Sequence, residues 1–248
     1  MSFLDKSDVE ALEKIISNYS HEVSIKLTRD LVTVQNRIYS QLESLIWLQK
    51  RLNIKGSLPP LRGWATSPDV LLRLHTHIML SAPKIVVELG SGSSSIVAAD
   101  ALRQNGYGQL ISIEHSSHYG KQTLAKLVAE NLQPWVDLRI GELEAWNKQH
   151  LCPSDAVKSP FWYPEHLLKG IEGIDLLIVD GPPGATCEFA RYPALPALFE
   201  KLNPGAQVWM DDTVRQEEKD ICQRWADDYG FNLEYYPLEK GLGILSRA

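Results

Sequence analysis

Acidic and glycine residues recur in this chain at the ends of short apolar runs, and their types suit two kinds of chemistry. Glu88-Leu89-Gly90-Ser91-Gly92 follows the run Ile85-Val86-Val87 and leads into Ser93-Ser94-Ser95. Glycines at 90 and 92 let the backbone take positive φ and bring main-chain N–H groups close to a ligand. An acid beside them can accept hydrogen bonds from a cation or from hydroxyls. With serines where a third glycine would stand, the turn departs from a full dinucleotide fingerprint. About 20 residues on, Leu110-Ile111-Ser112-Ile113 ends in Glu114-His115, and an acid at the tip of a second strand takes ribose hydroxyls in such folds. Val136 to Ile140 ends in Gly141-Glu142, Ile174 to Val179 in Asp180-Gly181-Pro182-Pro183-Gly184, and Ala206 to Met210 in Asp211-Asp212. Asp180, Asp211 and Asp212, converging from two strand ends, would repel one another without a cation or protons between them. Hard oxygen donors of this kind suit Mg²⁺ or a similar divalent metal. Asp211 and Asp212 point to opposite faces of a regular strand, so joint ligation requires the strand to break there.

The elements that must position these residues follow from the apolar runs. Five short apolar runs, each delivering an acid or glycine at its C-terminal end, describe an open α/β sheet with a ligand crevice along that edge. Phe231 to Tyr236 and Gly243 to Ser246, joined by Pro237 to Leu242, read as a closing hairpin. Ahead of the first strand, the spacing predicts a helix over Val70 to Leu80, with Ser67 as its N-cap and Pro68 in its first turn.

VVELGSGSS, ISIEH, DLLIVDGPPG and VWMDDT, in this order and spacing, resemble the class I S-adenosylmethionine-dependent methyltransferases, over roughly Trp64 to the C-terminus. The resemblance implies a Rossmann-like, doubly wound, seven-stranded and mostly parallel sheet with the hairpin at its edge. It implies that Glu88, Gly90, Gly92 and Ser93 hold the methionine and ribose portions of S-adenosylmethionine. Glu114 would take the ribose hydroxyls, His115 would flank the adenine, and Glu142 would face the adenine amino group. Trp64 and Ser67 stand where family members fold over the methionine end of the cofactor. The acids are similar to those of the metal-dependent O-methyltransferases of the catechol and caffeoyl-CoA type, in which an Asp and an Asp-Asn pair hold the ion. Asp180, Asp211 and Asp212 match those positions, with Asp212 where Asn is usual. Asp180 and Asp211 are then the catalytic residues, acting through a metal-bound hydroxyl; without a metal, Asp180 would accept the proton itself. Pro183 stands where the catechol type has its lysine base. That departure, together with a general resemblance of the GPPG and RYPALP region to bacterial enzymes of polysaccharide modification, points to a sugar, glycan or other small-molecule acceptor.

Between Glu144 and Glu172 the pattern turns irregular. Its aromatic cluster, Phe161-Trp162-Tyr163, either lines an acceptor pocket, with Trp162 as the substrate residue, or anchors the loop in the core. Arg191 and Tyr192 either grip an anionic or glycosyl acceptor or pack the start of the next helix. Arg215 either neutralises the acidic pair or touches substrate.

The first 55 or so residues have a different texture. Leu27, Leu31, Val34, Ile38, Leu45, Leu48 and Leu52 alternate in spacings of three and four, with Gln41 as the polar interruption, which is a coiled-coil seam. Val9, Leu12, Ile15, Ile16 and Tyr19 predict a shorter amphipathic helix ahead of it. These helices either pack on their own domain or join copies into a homo-oligomer. Gly56 to Gly63 breaks the helix, dividing the chain into an N-terminal helical extension, 1–56, and a methyltransferase domain, 57–248.

A formal charge of −6 lacks the overall basic field that nucleic-acid phosphates require. No apolar run reaches the length of a membrane span and the N-terminus does not read as a signal peptide, so a cytoplasmic protein is expected. The three cysteines are widely spaced and suggest neither a disulfide framework nor a zinc site. Two other readings stand beside the methyltransferase: a nicotinamide (NAD)-dependent oxidoreductase or epimerase, and a cofactor-binding scaffold without turnover.

Overall fold

The computed structural model describes residues 6–152 and 158–247; the side chain of Val9 and residues 153–157 of the irregular stretch lie outside that description. Helix α1 (Lys6–Arg51) runs unbroken for 46 residues where two helices were expected. Nothing between Tyr19 and Leu27 stops it, since that stretch holds neither proline nor glycine. Met1–Glu43 forms one compact unit and Ser44–Ala248 the other. In the first, Ile15, Ile16, Tyr19, Leu27, Leu31, Val34 and Ile38 each expose more than half of their surface. In the second, Leu48 near the end of α1 is buried with Leu71 and Val97. The chain then crosses the domain on side-chain anchors: the Asn53 amide donates to Asp100 Oδ2 (2.8 Å), and those of Lys55 and Gly56 donate to Glu130 (2.6 and 2.9 Å).

The domain continues with α2 (Pro68–Ser81), β1 (Ile85–Leu89), α3 (Ser93–Asn105), β2 (Gln109–Glu114), α4 (Ser117–Ala129) and β3 (Val136–Ile140). A separate two-stranded ladder pairs β4 (Glu144–Ala145) with β5 (Phe161–Trp162). Then follow β6 (Ile174–Val179), α5 (Ala194–Leu198), β7 (Leu202–Asp211), α6 (Gln216–Tyr229), β8 (Phe231–Tyr236) and β9 (Leu242–Arg247). The main sheet has seven strands in the order β3-β2-β1-β6-β7-β9-β8. The pairs from β3 to β7 are parallel, and β9 runs antiparallel between β7 and β8. This is the Rossmann-like order expected, with the terminal hairpin at the edge. The strand order reverses between β1 and β6, and a crevice opens at such a switch point.

Alternate residues of each strand face opposite layers. Val86, Leu176 and Ile178 pack with α2 and α3 through Leu74, Ile78 and Leu102. Val87, Leu177 and Val179 pack with Ile221 and Trp225 of α6 and with the aromatic cluster. Both faces being covered explains why these strands read as continuous apolar runs. Trp225, with no exposed surface, is the kind of side chain whose truncation to alanine costs about 3–5 kcal/mol. Ser67 takes the extended N-cap conformation before α2, but its hydroxyl donates to Asp69 (2.5 Å) instead of accepting a helix amide. No helix among the described residues is long and apolar enough to cross a membrane.

Candidate active site

The ends of β1, β2 and β6 are level, because Leu89 pairs in register with both Ile113 and Val179. There the main chain itself makes a cradle. The Gly90 amide donates to the Ile113 carbonyl (2.8 Å) and the Asp180 amide to that of Leu89 (3.0 Å). Gly90 has φ +96°, and a Cβ on it would meet the Asp180 carbonyl oxygen at 3.0 Å, so both conformation and space demand glycine. The cradle opens into a cavity of about 520 Å³ lined by Gly90, Gly92, Ser93, Glu114, His115 and Asp180, with Trp64, Ala65 and Tyr163 completing its wall. A shallower hollow of about 730 Å³ around Lys148, Glu165 and Lys201 shares none of these residues.

Glu114 is the anchor of the cavity on the β2 side. Its Oε2 accepts from the Ser91 amide (2.9 Å) and hydroxyl (3.0 Å), and its Oε1 accepts from the Ser116 amide (2.7 Å) and lies 3.1 Å from His115 Nδ1. Burial pushes this carboxyl up, but the bonds from His115, Ser116 and Ser91 outweigh burial and leave its pKa below the ordinary value. It is therefore a preorganised anion with hydroxyl and imidazole neighbours that a ligand's hydroxyls can replace. Ser93 sits beside it at the start of α3.

Two residues expected at the cofactor lie elsewhere. Glu88 is fully buried, does not line the cavity, and accepts from the hydroxyls of Ser95 (2.5 Å) and Ser112 (2.7 Å). Ser95 Oγ in turn accepts from the Gly92 amide (3.0 Å), so Glu88 braces the glycine turn from within. Burial raises its carboxyl to about 7 against the pull of Ser94, Ser95 and Ser112. Glu142 is exposed and outside the cavity lining, because the chain leaves the sheet edge after β3.

On the β6 and β7 side the crevice ends in acids held by a guanidinium. Arg191, only 4% exposed, directs Nη2 to Asp180 Oδ1 (3.1 Å) and Asp212 Oδ2 (2.9 Å), and Nη1 to the Asp211 carbonyl (3.1 Å). The same Nη1 lies 3.8 Å from Glu218. Arg215 pairs with Asp212 and, at 3.2 Å, with Glu218, so of its two readings the structure shows the neutralising one. Asp180 Oδ2 accepts from Thr66 Oγ1 (3.2 Å). Lys240 donates to the carbonyls of Gly63 and Ala65 (2.7 Å each), and its charge also acts on Asp180 and Asp211. Burial raises the Asp180 carboxyl, offset in part by Arg191, Lys240 and Thr66. Burial and then the neighbouring Asp180 charge push Asp211 up to about 8. Its Oδ1 accepts from the Asp212 amide (2.9 Å), while its buried Oδ2 has no partner among the described residues.

The three acids expected as a metal set, Asp180, Asp211 and Asp212, meet a guanidinium in this arrangement. The strand does break after Asp211, since Asp212 has φ +63°, but the break brings the acids to Arg191. Asp180 and Asp212 each commit a carboxylate oxygen to the guanidinium, and Asp211 reaches it only through its carbonyl. Among the described residues no three His, Cys, Asp or Glu side chains are grouped to hold a metal ion. As arranged, these donors do not fit a divalent ion.

The substrate candidates are also redistributed. Trp162 has no exposed surface and packs edge-on to Trp146 at 5.0 Å between centroids, as a core anchor. Tyr192 is equally buried, with its hydroxyl accepting from Gln149 (2.8 Å). Arg191 has its donors turned to the acids and not to the cavity. The residue of the aromatic run that reaches the cavity is Tyr163, whose buried hydroxyl has no partner among the described residues. It presses on Gly181, where a Cβ would collide with it, and burial holds its pKa well above the ordinary value, so it stays a neutral phenol. Sequence reasoning missed Tyr163, Thr66 and Lys240. Only Tyr163 carried a signal, its place beside Trp162 in an aromatic loop.

Comparison with known proteins places this geometry. The family described as methyltransferase domain matches residues 87–213, just over half of the chain, from β1 to the acids after β7. No curated protein matches. Among solved structures, the SAH-bound methyltransferase PaMTH1 of Podospora anserina is similar with a TM-score of 0.59 at 15% identity, covering 89% of this chain and 95% of that one. The O-methyltransferase TomG of Streptomyces achromogenes, in complex with SAM, gives 0.53 at 18% identity over 82% and 90% of the two chains. An O-methyltransferase of Bacillus cereus in complex with SAH gives 0.54 at 14% identity over 76% and 84%.

Proposed function

The chain belongs to the methyltransferase-domain family, and from that premise we propose that it is an S-adenosylmethionine-dependent O-methyltransferase acting on a hydroxyl of a small molecule. The observation that carries the reading is the meeting, at one switch point, of the Gly90 cradle, the prepared Glu114 anion and the Asp180 carboxylate. The SAM- and SAH-bound structures of the same fold support the cofactor.

When bound, the cofactor supplies an electrophilic methyl on a sulfonium sulfur. Glu114 fixes its ribose, the turn from Gly90 to Ser93 lets its methionine portion approach the main chain closely, and Tyr163 closes the wall beside Gly181. Asp180 is then the group within reach of an acceptor hydroxyl: it takes the proton as the oxygen attacks, and Thr66 and Arg191 hold it in one orientation. A carboxyl raised by burial is a better base than an ordinary aspartate. Pro183 in place of a catechol-type lysine supports an acceptor other than a phenol, sugar hydroxyls among them.

A calorimetric titration with S-adenosylmethionine, beside NADH, tests the cofactor. Saturable binding that Glu114→Ala removes is the expected result. Binding of NADH in its place would sink the reading and restore the nicotinamide alternative.

Self-association through α1 belongs to the same proposal. The seam residues Leu27, Leu31, Val34 and Ile38, each more than half exposed, support pairing with a second copy of the chain. Sedimentation equilibrium should give a multimer that Leu31→Glu with Ile38→Glu converts to monomer. A monomeric wild type removes this part.

A further inference from the structure

We infer that Arg191 is the resident cation of the acidic site: its guanidinium takes the place between β6 and β7 where a divalent ion would sit, and it orients Asp180 without metal. The inference deepens the methyltransferase reading, on which the role of Asp180 rests.

The bonding comes first. A single nitrogen, Nη2, bridges carboxylates from the ends of two different strands, Asp180 at 3.1 Å and Asp212 at 2.9 Å, and Nη1 adds the Asp211 carbonyl at 3.1 Å. A planar fork with fixed donors suits such bridging, and unlike a metal it can be neither chelated nor deprotonated at working pH. Burial matters next. At 4% exposure, a guanidinium without these acids would be an uncompensated charge, and so would the acids without it.

The charges then decide whether an ion could be added. Asp180, Asp212 and Glu218 face Arg191, Arg215 and Lys240. A divalent ion entering here would compete with Arg191 for the carboxylate oxygens of Asp180 and Asp212 that the guanidinium already holds. The other oxygen of Asp180, Oδ2, accepts from the Thr66 hydroxyl (3.2 Å), and Asp180 is one of the residues that line the cavity. Arg191 is thus a positioning residue: it holds one oxygen of Asp180 so that the other meets the acceptor.

The test is metal titration of the full-length protein by calorimetry, with Mg²⁺ and with Mn²⁺, followed by S-adenosylmethionine titration with and without chelator. The wild type should show no saturable metal binding up to millimolar concentration, and its cofactor affinity should agree within about twofold in the two buffers. Arg191→Gln should unmask the acids. The variant's thermal midpoint should fall below that of the wild type, and Mn²⁺ should bind it saturably and recover part of the loss. Arg191→Lys, with one point charge in place of a fork, should fall between the two. Saturable Mg²⁺ or Mn²⁺ binding to the wild type that Asp180→Asn removes would overturn the inference, as would loss of cofactor binding on chelation. If Arg191→Gln does not fold, the wild-type titration still decides. If S-adenosylmethionine binds in neither buffer, the cofactor reading falls and the metal titration alone judges Arg191.

Discussion

The crevice has two sides that differ in what they are made of. On the β2 side it is built from main chain: the Gly90 amide on Ile113, the Ser91 and Ser116 amides on Glu114, and a glycine that no side chain could replace. On the β7 side it is built from charged side chains drawn from four stretches of sequence, Asp180, Arg191, Asp211 to Glu218, and Lys240. A main-chain site depends on local conformation, so it is stiff and asks only for glycine and one acid. A side-chain site depends on its members arriving together, so one substitution redirects it. The first kind suits a ligand that every turnover shares, and the second suits the partner that varies.

Substitutions should break the crevice along that line. The largest effect is expected from Asp180→Asn, which should lower methyl transfer by about 10²–10⁴-fold while leaving S-adenosylmethionine affinity within about threefold. Transfer of labelled methyl to a panel of hydroxylated acceptors measures it, and a parallel collapse of cofactor binding would show that the two sides are not separable. Glu114→Ala is the converse. Losing a carboxylate placed to take two hydroxyls should weaken cofactor binding by about 10²–10⁴-fold, at roughly 1.5–3 kcal/mol for each bond to a charged group. Metal titration should be unmoved, and the thermal midpoint should change its pH dependence only on the acid side, where a carboxyl held below its ordinary value loses its contribution as pH falls.

Tyr163→Phe sharpens the comparison at the seam between the sides. Its hydroxyl has no partner among the described residues, so the thermal midpoint should hold, and a drop in cofactor affinity of about fivefold would assign the hydroxyl to the ligand. An unchanged affinity would make it a wall and nothing more. The smallest effect is a matter of pH. Asp211, raised to about 8 in the fold, favours the folded state below its ordinary unfolded value and loses that contribution as pH rises through about 8. Asp211→Asn should therefore flatten, by a few degrees, the fall of the thermal midpoint between about pH 4 and about pH 8. A fall of the same slope in the variant would assign it to other groups, Glu88 first among them.

The same division explains what could be read from the sequence. The strands, their order and the Gly90 and Glu114 positions were legible because a buried parallel strand is a run of β-branched residues and its C-terminal tip is the next residue along. Glu88 has a local reason for lying outside the cavity lining: two residues before Gly90, it turns to Ser95 of α3 and Ser112 of β2. In the aromatic run, Trp162 and Tyr163 were equivalent as composition, and only the fold sends the first to the core and the second to the cavity. Arg191 was singled out, but for a contact with substrate. Its acids lie 11, 20 and 21 residues away in sequence, at separations that carry no periodic signal. The unbroken course of α1 was legible in principle, in the lack of any breaker.

The bond from Lys240 to the carbonyls of Gly63 and Ala65 spans 177 and 175 residues, nearly the whole domain. Moreover β9, which follows β8 in sequence, enters the sheet between β7 and β8 and does not simply add to its edge. During translation, then, the glycine turn and Glu114 leave the ribosome long before the wall that encloses them is fastened. An incomplete chain would carry the residues for the cofactor without the means to retain it. Synthesis past Lys240 is in this sense a checkpoint on cofactor retention: fragments ending before Pro237 should show no cofactor-induced rise in melting temperature, and one that did would show the clasp to be dispensable.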